Sequence, residues 1–351
     1  MTFKSDRSDA IPEAPSERQS VLILGGFEFV GRHLAESFLK AGWEVTAYTS
    51  SRAKPVMHTR MRYLEGDRSN IPFFKASLER LFFDCSIDIF PENPQVTDAT
   101  VQILFGRTTH HIHLSSDLVY LLTPYLPRPF REDQVTYELG GTIGSHTRWY
   151  SKALGLLQAE AVVAKAIKDK GFPATILRIS HPSGPHDPSF GDYVHILRIL
   201  DSQPLVVPVP FGSFRHIYVL DLVEAVLKIA LSPHKAVHHT FNLAGSTIVD
   251  LEEYLTLLAY ALEKTPNLVR IPAEMCAPLL EEGAYPFYYE RNLIADTTSI
   301  EKQLGIRPRG VERFLGEVVE WYLSSYKGPP PEGYQTLRKR EKELLSLGGF
   351  K

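Results

Sequence analysis

Cysteine is nearly absent from this chain: Cys85 and Cys276 are the two among 351 residues. That scarcity argues against a disulfide framework and fits a reducing cytoplasm, leaving the fold to its apolar core. Long hydrophobic runs are missing too; no stretch of roughly 18 or more apolar residues occurs, so no membrane span is expected. Neither sign of charge dominates. Lys and Arg number 38 against 41 Asp and Glu, and the net charge of −3 offers no general pull toward nucleic acid or membrane, although a local basic face stays open. No stripe of interleaved basic and aromatic residues of the RNA-binding kind is visible, and RNA is not an expected partner. Residues 1–18 lack the apolar centre of a secretory signal. Their acidic members Asp6, Asp9, Glu13 and Glu17 disfavour an organelle transit peptide, so this segment is expected to be a disordered leader.

What is there describes an ordinary globular protein. Hydrophobic residues at 44% and charged residues at 23% exclude wholesale disorder, and the length suits one large α/β domain with a smaller C-terminal lobe. The first half alternates short apolar runs with amphipathic stretches, the βαβ rhythm of a Rossmann-type, doubly wound parallel sheet. Strands are predicted at Ser20–Leu24, Val45–Tyr48, Met61–Leu64, Cys85–Phe90, His111–Leu114 and Ala174–Ile179. A helix is predicted over Phe29–Lys40, where Val30, Leu34 and Phe38 recur at helical spacing and Gly42 closes the run. A longer helix is predicted from about Thr147 to Lys168. These elements assign residues 19–180 to a dinucleotide-binding domain. After Ser180 the regularity fades, and Pro182, Gly184, Pro185 and Pro188 mark a loop where the chain leaves the sheet. Short strands near Arg215–Val219 and Phe241–Leu243, with helices at Asp221–Ala230 and Leu251–Leu262, suggest a mixed α+β substrate lobe over 181–326, some segments of which return to the sheet. Gly328-Pro329-Pro330-Pro331 then breaks the chain. The 327–351 tail carries a charged helix at Gln335–Leu347, read as a solvated appendage or an oligomer contact.

The run Gly25-Gly26-Phe27-Glu28-Phe29-Val30-Gly31 lies between the first strand and the first helix, the context a dinucleotide-binding turn requires. Gly25 permits the tight turn, Gly31 lets the helix pack closely on the strand, and the helix N-terminus faces a pyrophosphate. Glu28 stands where a middle glycine would allow the closest approach of backbone and ligand. It adds bulk and negative charge, so it either points to solvent or weakens phosphate binding. The second strand ends Ala47-Tyr48-Thr49-Ser50-Ser51-Arg52, without the acid that an NAD site sets against the ribose hydroxyls. Arg52, with Ser50 and Ser51, can instead meet a 2′-phosphate, which leans toward NADP over NAD; the alternative is a plain surface arginine. His110, His111 and His113 invite a metal reading, but no carboxylate or cysteine sits nearby at ligand spacing, and no metal is expected. Tyr260 and Lys264 form a Tyr-x-x-x-Lys pattern without a matching serine, a coincidence of the C-terminal lobe.

From Val21 to about Tyr322 the chain resembles the extended short-chain dehydrogenases/reductases of the NAD-dependent epimerase/dehydratase type. Within them it is similar to the atypical branch that includes the chloroplast stem-loop-binding proteins. The likeness rests on the turn with a large residue in place of its middle glycine, Tyr63-Leu64-Glu65-Gly66-Asp67-Arg68, Ser115-Ser116 followed by Val119-Tyr120, and an Arg four residues before Lys152. Ala284-Tyr285-Pro286-Phe287 and the run from Ala295 to Gly305 add to it. The resemblance implies that Asp67 caps an adenine amino group, that Ser116 hydrogen-bonds the reacting oxygen with Ser115 beside it, and that Lys152 holds the nicotinamide ribose. It also implies that His181 and His186 flank a loop contacting nicotinamide and substrate, and that Arg215 and His216 lie in a segment lining the substrate pocket.

Arg148 departs from the family pattern, which has a proton-exchanging Tyr at that position. A guanidinium cannot trade a proton near neutral pH, because its pKa lies above about 12. Spacing of four residues puts Arg148 and Lys152 on one face of the predicted helix, and Tyr150, about 200° further round, points away. Tyr120 and Tyr125 remain as reserve proton carriers. The branch holds RNA-binding plastid members and bacterial proteins described as epimerases or dehydratases. Glu28 is acidic where the plastid members typically carry a basic residue.

These residues lead to the expectation of a cytoplasmic NAD(P)-dependent oxidoreductase, epimerase or dehydratase that exchanges hydride with a small polar or sugar-like substrate. Ser116 polarises the reacting oxygen, Lys152 holds the ribose, and Arg148 clamps an anion or oxyanion. The alternatives are a non-redox enzyme on the same fold and an RNA-binding or cofactor-sensing protein. A homodimer is a candidate assembly, and no membrane partner is expected.

Overall fold

Strands buried on both faces read as unbroken apolar runs, because helices cover a parallel sheet from both sides. The computed structural model, which describes residues 19–25, 27–50, 56–123, 126–137, 149–280, 285–287, 289 and 291–348, has this arrangement. Strand β1 (Ser20–Leu24) leads into helix α1 (Val30–Lys40), then β2 (Glu44–Thr49), β3 (Met61–Glu65), α2 (Ile71–Leu78), β4 (Phe83–Ile89), α3 (Pro94–Leu104), β5 (Thr108–Ser116), α4 (Tyr150–Lys170) and β6 (Ala174–Ile179). Side chains of β1 alternate between two cores. Val21 and Ile23 pack with Leu34 and Phe38 of α1, whereas Leu22 and Leu24 pack with Phe74 of α2 and Val101 of α3.

The remaining elements are β7 (His181–Ser183), α5 (Gly191–Leu200), β8 (Leu205–Val209), β9 (His216–Tyr218), α6 (Val219–Leu231), β10 (Thr240–Leu243), α7 (Leu251–Ala261), β11 (Leu268–Pro272), α8 (Ala277–Leu280), α9 (Thr298–Leu304), α10 (Val311–Glu320) and α11 (Tyr334–Gly348). Among the described residues the central sheet has seven strands in the order β10-β6-β5-β4-β1-β2-β3, all parallel. Strand β10, from beyond Ser180, pairs with β6 and so belongs to the sheet. Two further parallel pairs, β8 with β11 and β7 with β9, build the lobe over the sheet's C-terminal edge.

The described part of α4 begins at Tyr150, with Trp149 at its N-cap position and no side-chain cap. Arg148 itself lies outside the described residues, as do residues 1–18, Gly26, Ser51, Arg52, Tyr125 and Ala284. The charged C-terminal helix is not a solvated appendage. Glu341 of α11 is fully buried, pairs with the equally buried Arg198 of α5 and with Arg338, and accepts the Val206 N–H at 3.1 Å. Arg338 also donates to Asp201 at 2.8 Å. Balanced charge along a helix thus marks a buried ion-pair network here, a distinction that sequence spacing does not make.

Candidate active site

The order of strands reverses between β4 and β1, and in open α/β sheets the crevice beyond the strand ends at such a point takes the ligand. A cavity of about 590 Å³ opens there, within the range of small-ligand sites. Its first wall is the turn after β1. Gly25 has φ of +80°, a left-handed conformation that favours glycine. The turn delivers Phe27, Glu28, Phe29 and Val30 to the cavity. No side chain caps the N-terminus of α1, as at α4, α5, α6, α9 and α10, whereas Asn70, Asn93 and Asp250 cap α2, α3 and α7. Unsatisfied amides at the start of an 11-residue helix, facing a cavity, form a site for an anion such as a pyrophosphate. Gly31 is buried in the first turn of α1 and does not line the cavity. Glu28 is exposed and lines the cavity at this turn.

Thr49 and Ser50, at the end of β2, and Asp67 and Arg68, after β3, close the same end. Asp67 accepts hydrogen bonds from the side chain and, at 2.9 Å, the backbone N–H of Ser69, and the first of these holds its carboxyl below the usual range. Arg68 makes a bidentate pair with buried Asp88 at 2.7 and 2.6 Å. The donor set, the uncapped helix and the size of the cavity together fit a dinucleotide.

Ser116 and Lys152 line the opposite end, as the sequence pattern implies. Lys152 is half exposed, with Nζ 4.0 Å from Glu92. Ser115, one residue earlier on β5, is fully buried and does not reach the cavity. His181 follows β6 at the wall; burial, with Lys152 nearby, lowers its pKa to about 4, so it is a neutral hydrogen-bonding group at pH 7.

Four other expected residues are held elsewhere. Tyr120 is buried, donates to Asn242 at 2.7 Å and accepts from Arg178 at 3.1 Å. Burial raises its pKa to about 12, and it does not line the cavity. His216 is buried against Phe287 and bonded to Ser183 Oγ at 2.9 Å. Arg215 donates to Gly245 O at 3.3 Å and Thr297 Oγ1 at 3.4 Å, and His186 packs on Trp321. None of the three lines the cavity, because each is engaged within the lobe.

The sequence reading overlooked Asp117. It lines the cavity beside Ser116, is 2% exposed, accepts Ser180 Oγ at 2.6 Å, and lies 3.3 Å from Ser116 Oγ. Burial pushes its pKa up to about 7, where a carboxyl can both give and take a proton. The available signal was its place immediately after the Ser-Ser pair. Asp187 also reaches the cavity, with its pKa raised by burial to about 6, and Trp149 and Tyr289 stack over the same end at 6.2 Å.

No protein-family model matches this chain. Among solved structures it is similar to a UDP-glucose 4-epimerase from Thermotoga maritima, solved with UDP-glucose (TM-score 0.70, 16% identity, 88% of this chain and 99% of that one). It is equally similar to a dTDP-glucose 4,6-dehydratase from Bacillus anthracis, solved with NAD (TM-score 0.69, 15% identity, 88% and 97%). The chain therefore shares the fold of these two enzymes. Among curated proteins it is similar to the chloroplast stem-loop binding protein of 41 kDa b from Arabidopsis thaliana, 26% identical over 325 residues, which cover 85% of this chain and 78% of that protein.

Proposed function

We propose that this chain is a nicotinamide-dinucleotide-dependent enzyme of the reductase, epimerase or dehydratase kind, acting on a small polar or sugar-like substrate. The observation that carries this reading is one continuous cavity with an uncapped helix N-terminus at one end and Ser116, Asp117 and Lys152 at the other. When bound, the dinucleotide supplies hydride exchange. Ser116 donates a hydrogen bond to the reacting oxygen, Lys152 holds the ribose, and Asp117 exchanges the proton that the missing tyrosine would have handled. Asp67 receives the adenine amino group. Arg148 clamps an anionic group of the substrate, a role supported by its place four residues before Lys152 in the sequence. The NADP preference rests on Arg52 and Ser50, while the dehydratase of similar fold was solved with NAD. Calorimetry with the oxidised and reduced forms of both dinucleotides tests the reading; binding is expected, and none at millimolar ligand removes the cofactor and points to Glu28 as the block.

A stem-loop-binding role is supported only by the name of a relative. The net charge of −3 supplies little of the counterion-release free energy that RNA affinity needs. Filter binding to a structured RNA at physiological salt is expected to be weak, and submicromolar affinity would favour that role instead.

A further inference from the structure

Arg68 is held as a fixed plate at the edge of the cavity. Its Nη1 donates to Asp88 Oδ1 at 2.7 Å, and its Nη2 donates to Asp88 Oδ2 at 2.6 Å and to Thr100 Oγ1 at 3.0 Å. Asp88 is fully buried and the Arg68 side chain is 14% exposed, so this pair is walled in by protein. One side of the guanidinium lies over the Phe74 ring, with Cζ 5.6 Å from its centroid. The edge reaches under the phosphate turn, where a Cβ added at Gly25 would stand 3.7 Å from Nη1. Arg68 lines the cavity, as do Ser50, Asp67 and Ile89. Nε is buried and has no hydrogen-bond partner.

This arrangement decides what the plate can hold. A free guanidinium takes a phosphate through its fork of donors. Here both fork nitrogens are committed to Asp88, whose charge cancels that of the arginine. What remains toward the cavity is a flat, polarised, nearly neutral surface, which suits the face of a heteroaromatic ring. We propose that Arg68 is the platform on which the base of the dinucleotide lies, fixed from behind by Asp88 and Thr100. The proposal rests on the cofactor reading above. It separates the work of two neighbours: Arg68 supplies affinity for any stacked base, and Asp67 selects among bases at their polar edge.

Calorimetry with ADP-ribose, which carries the base and pyrophosphate without nicotinamide, tests this. Wild type is expected to bind it. Arg68→Lys keeps a cation for Asp88 but loses the plane, and is expected to bind about tenfold more weakly with the thermal midpoint of the free protein nearly unchanged. Should Arg68→Lys fold poorly, the paired variant Arg68→Met/Asp88→Asn, which leaves no buried charge unpartnered, is judged by the same criterion. Wild-type affinity in a folded variant overturns the proposal. So does a wild type that binds NAD or NADP but not ADP-ribose. A wild type that binds no dinucleotide at all fails at the earlier step and refutes the cofactor reading itself.

Discussion

At the scale of single residues, the departure at position 148 shifts attention to Asp117. A carboxyl buried beside Ser116 is favoured in its neutral form, and burial holds its pKa near 7 against 3.8 for the ordinary group. Asp117→Asn preserves shape and hydrogen bonding but cannot exchange a proton. If Asp117 carries the proton, turnover falls by about 10²- to 10⁴-fold while dinucleotide affinity stays within a few fold; undiminished turnover in this variant would return the role to water or the substrate. The glycine turn was legible from its strand–turn–helix context, and Ser116 and Lys152 through the family resemblance, because each lies within a short run of sequence. Asp117 was not, since its significance comes from burial under β6 and the Ser180 hydroxyl, 63 residues away. Position 148 offers the complementary experiment. Arg148→Ala is expected to weaken substrate binding or turnover roughly 30- to 1000-fold without changing dinucleotide affinity, and wild-type kinetics would leave that position without a catalytic role.

Among the elements, the strands of the sheet were readable because each is a short apolar run bounded by turn residues. Helices α2 and α3 escaped, although each begins with an asparagine cap followed by a proline in the first turn, Asn70 with Pro72 and Asn93 with Pro94. Their faces are too mixed in polarity for periodicity alone to find. The three-residue strand β7 carries no pattern long enough to detect, whereas β9 falls inside the short strand expected near Arg215–Val219. Helix α11 was located correctly and misjudged in role, since spacing cannot tell a buried ion pair from a surface one. Its anchoring has a measurable consequence. Glu341→Gln leaves Arg198 buried without its counter-charge, and loss of one partner of a buried pair costs about 3–5 kcal/mol. Chemical denaturation is expected to show a loss of that order, whereas a change below about 1 kcal/mol would mean that α11 opens to water in solution.

The whole molecule gathers an unusual number of titratable groups in its interior, and their balance sets its response to pH. His110, His111, His113, His181, His195 and His216 are all held neutral by burial, with His110 and His181 lowered to about 4 and His111 to about 3. Each binds fewer protons folded than unfolded below its ordinary value of 6.5, so each subtracts stability as pH falls through that range. Carboxyls raised by burial, Glu132 among them, act in the opposite sense. Burial raises Asp117 and Asp192 to about 7 and Asp187 to about 6, so they keep protons in the fold that the unfolded chain releases above its carboxyl value of 3.8. Their contribution is full below that value and is lost as pH rises through the folded values. One proton of difference is worth about 1.4 kcal/mol per pH unit. Below pH 6.5 the imidazoles outweigh the raised carboxyls, and the net loss steepens to roughly 4 kcal/mol per pH unit as the unfolded chain's imidazoles become fully protonated. Between about pH 7 and 8 the two effects largely cancel. The thermal midpoint is therefore expected to be highest and nearly level at about pH 7–8 and to fall steeply from pH 6.5 toward pH 5. A thermal-shift series across that range reads the curve directly. A profile flat between pH 5 and 8 would show that the interior imidazoles hold protons in the fold, and with them would go the neutral His181 assigned to the cavity wall.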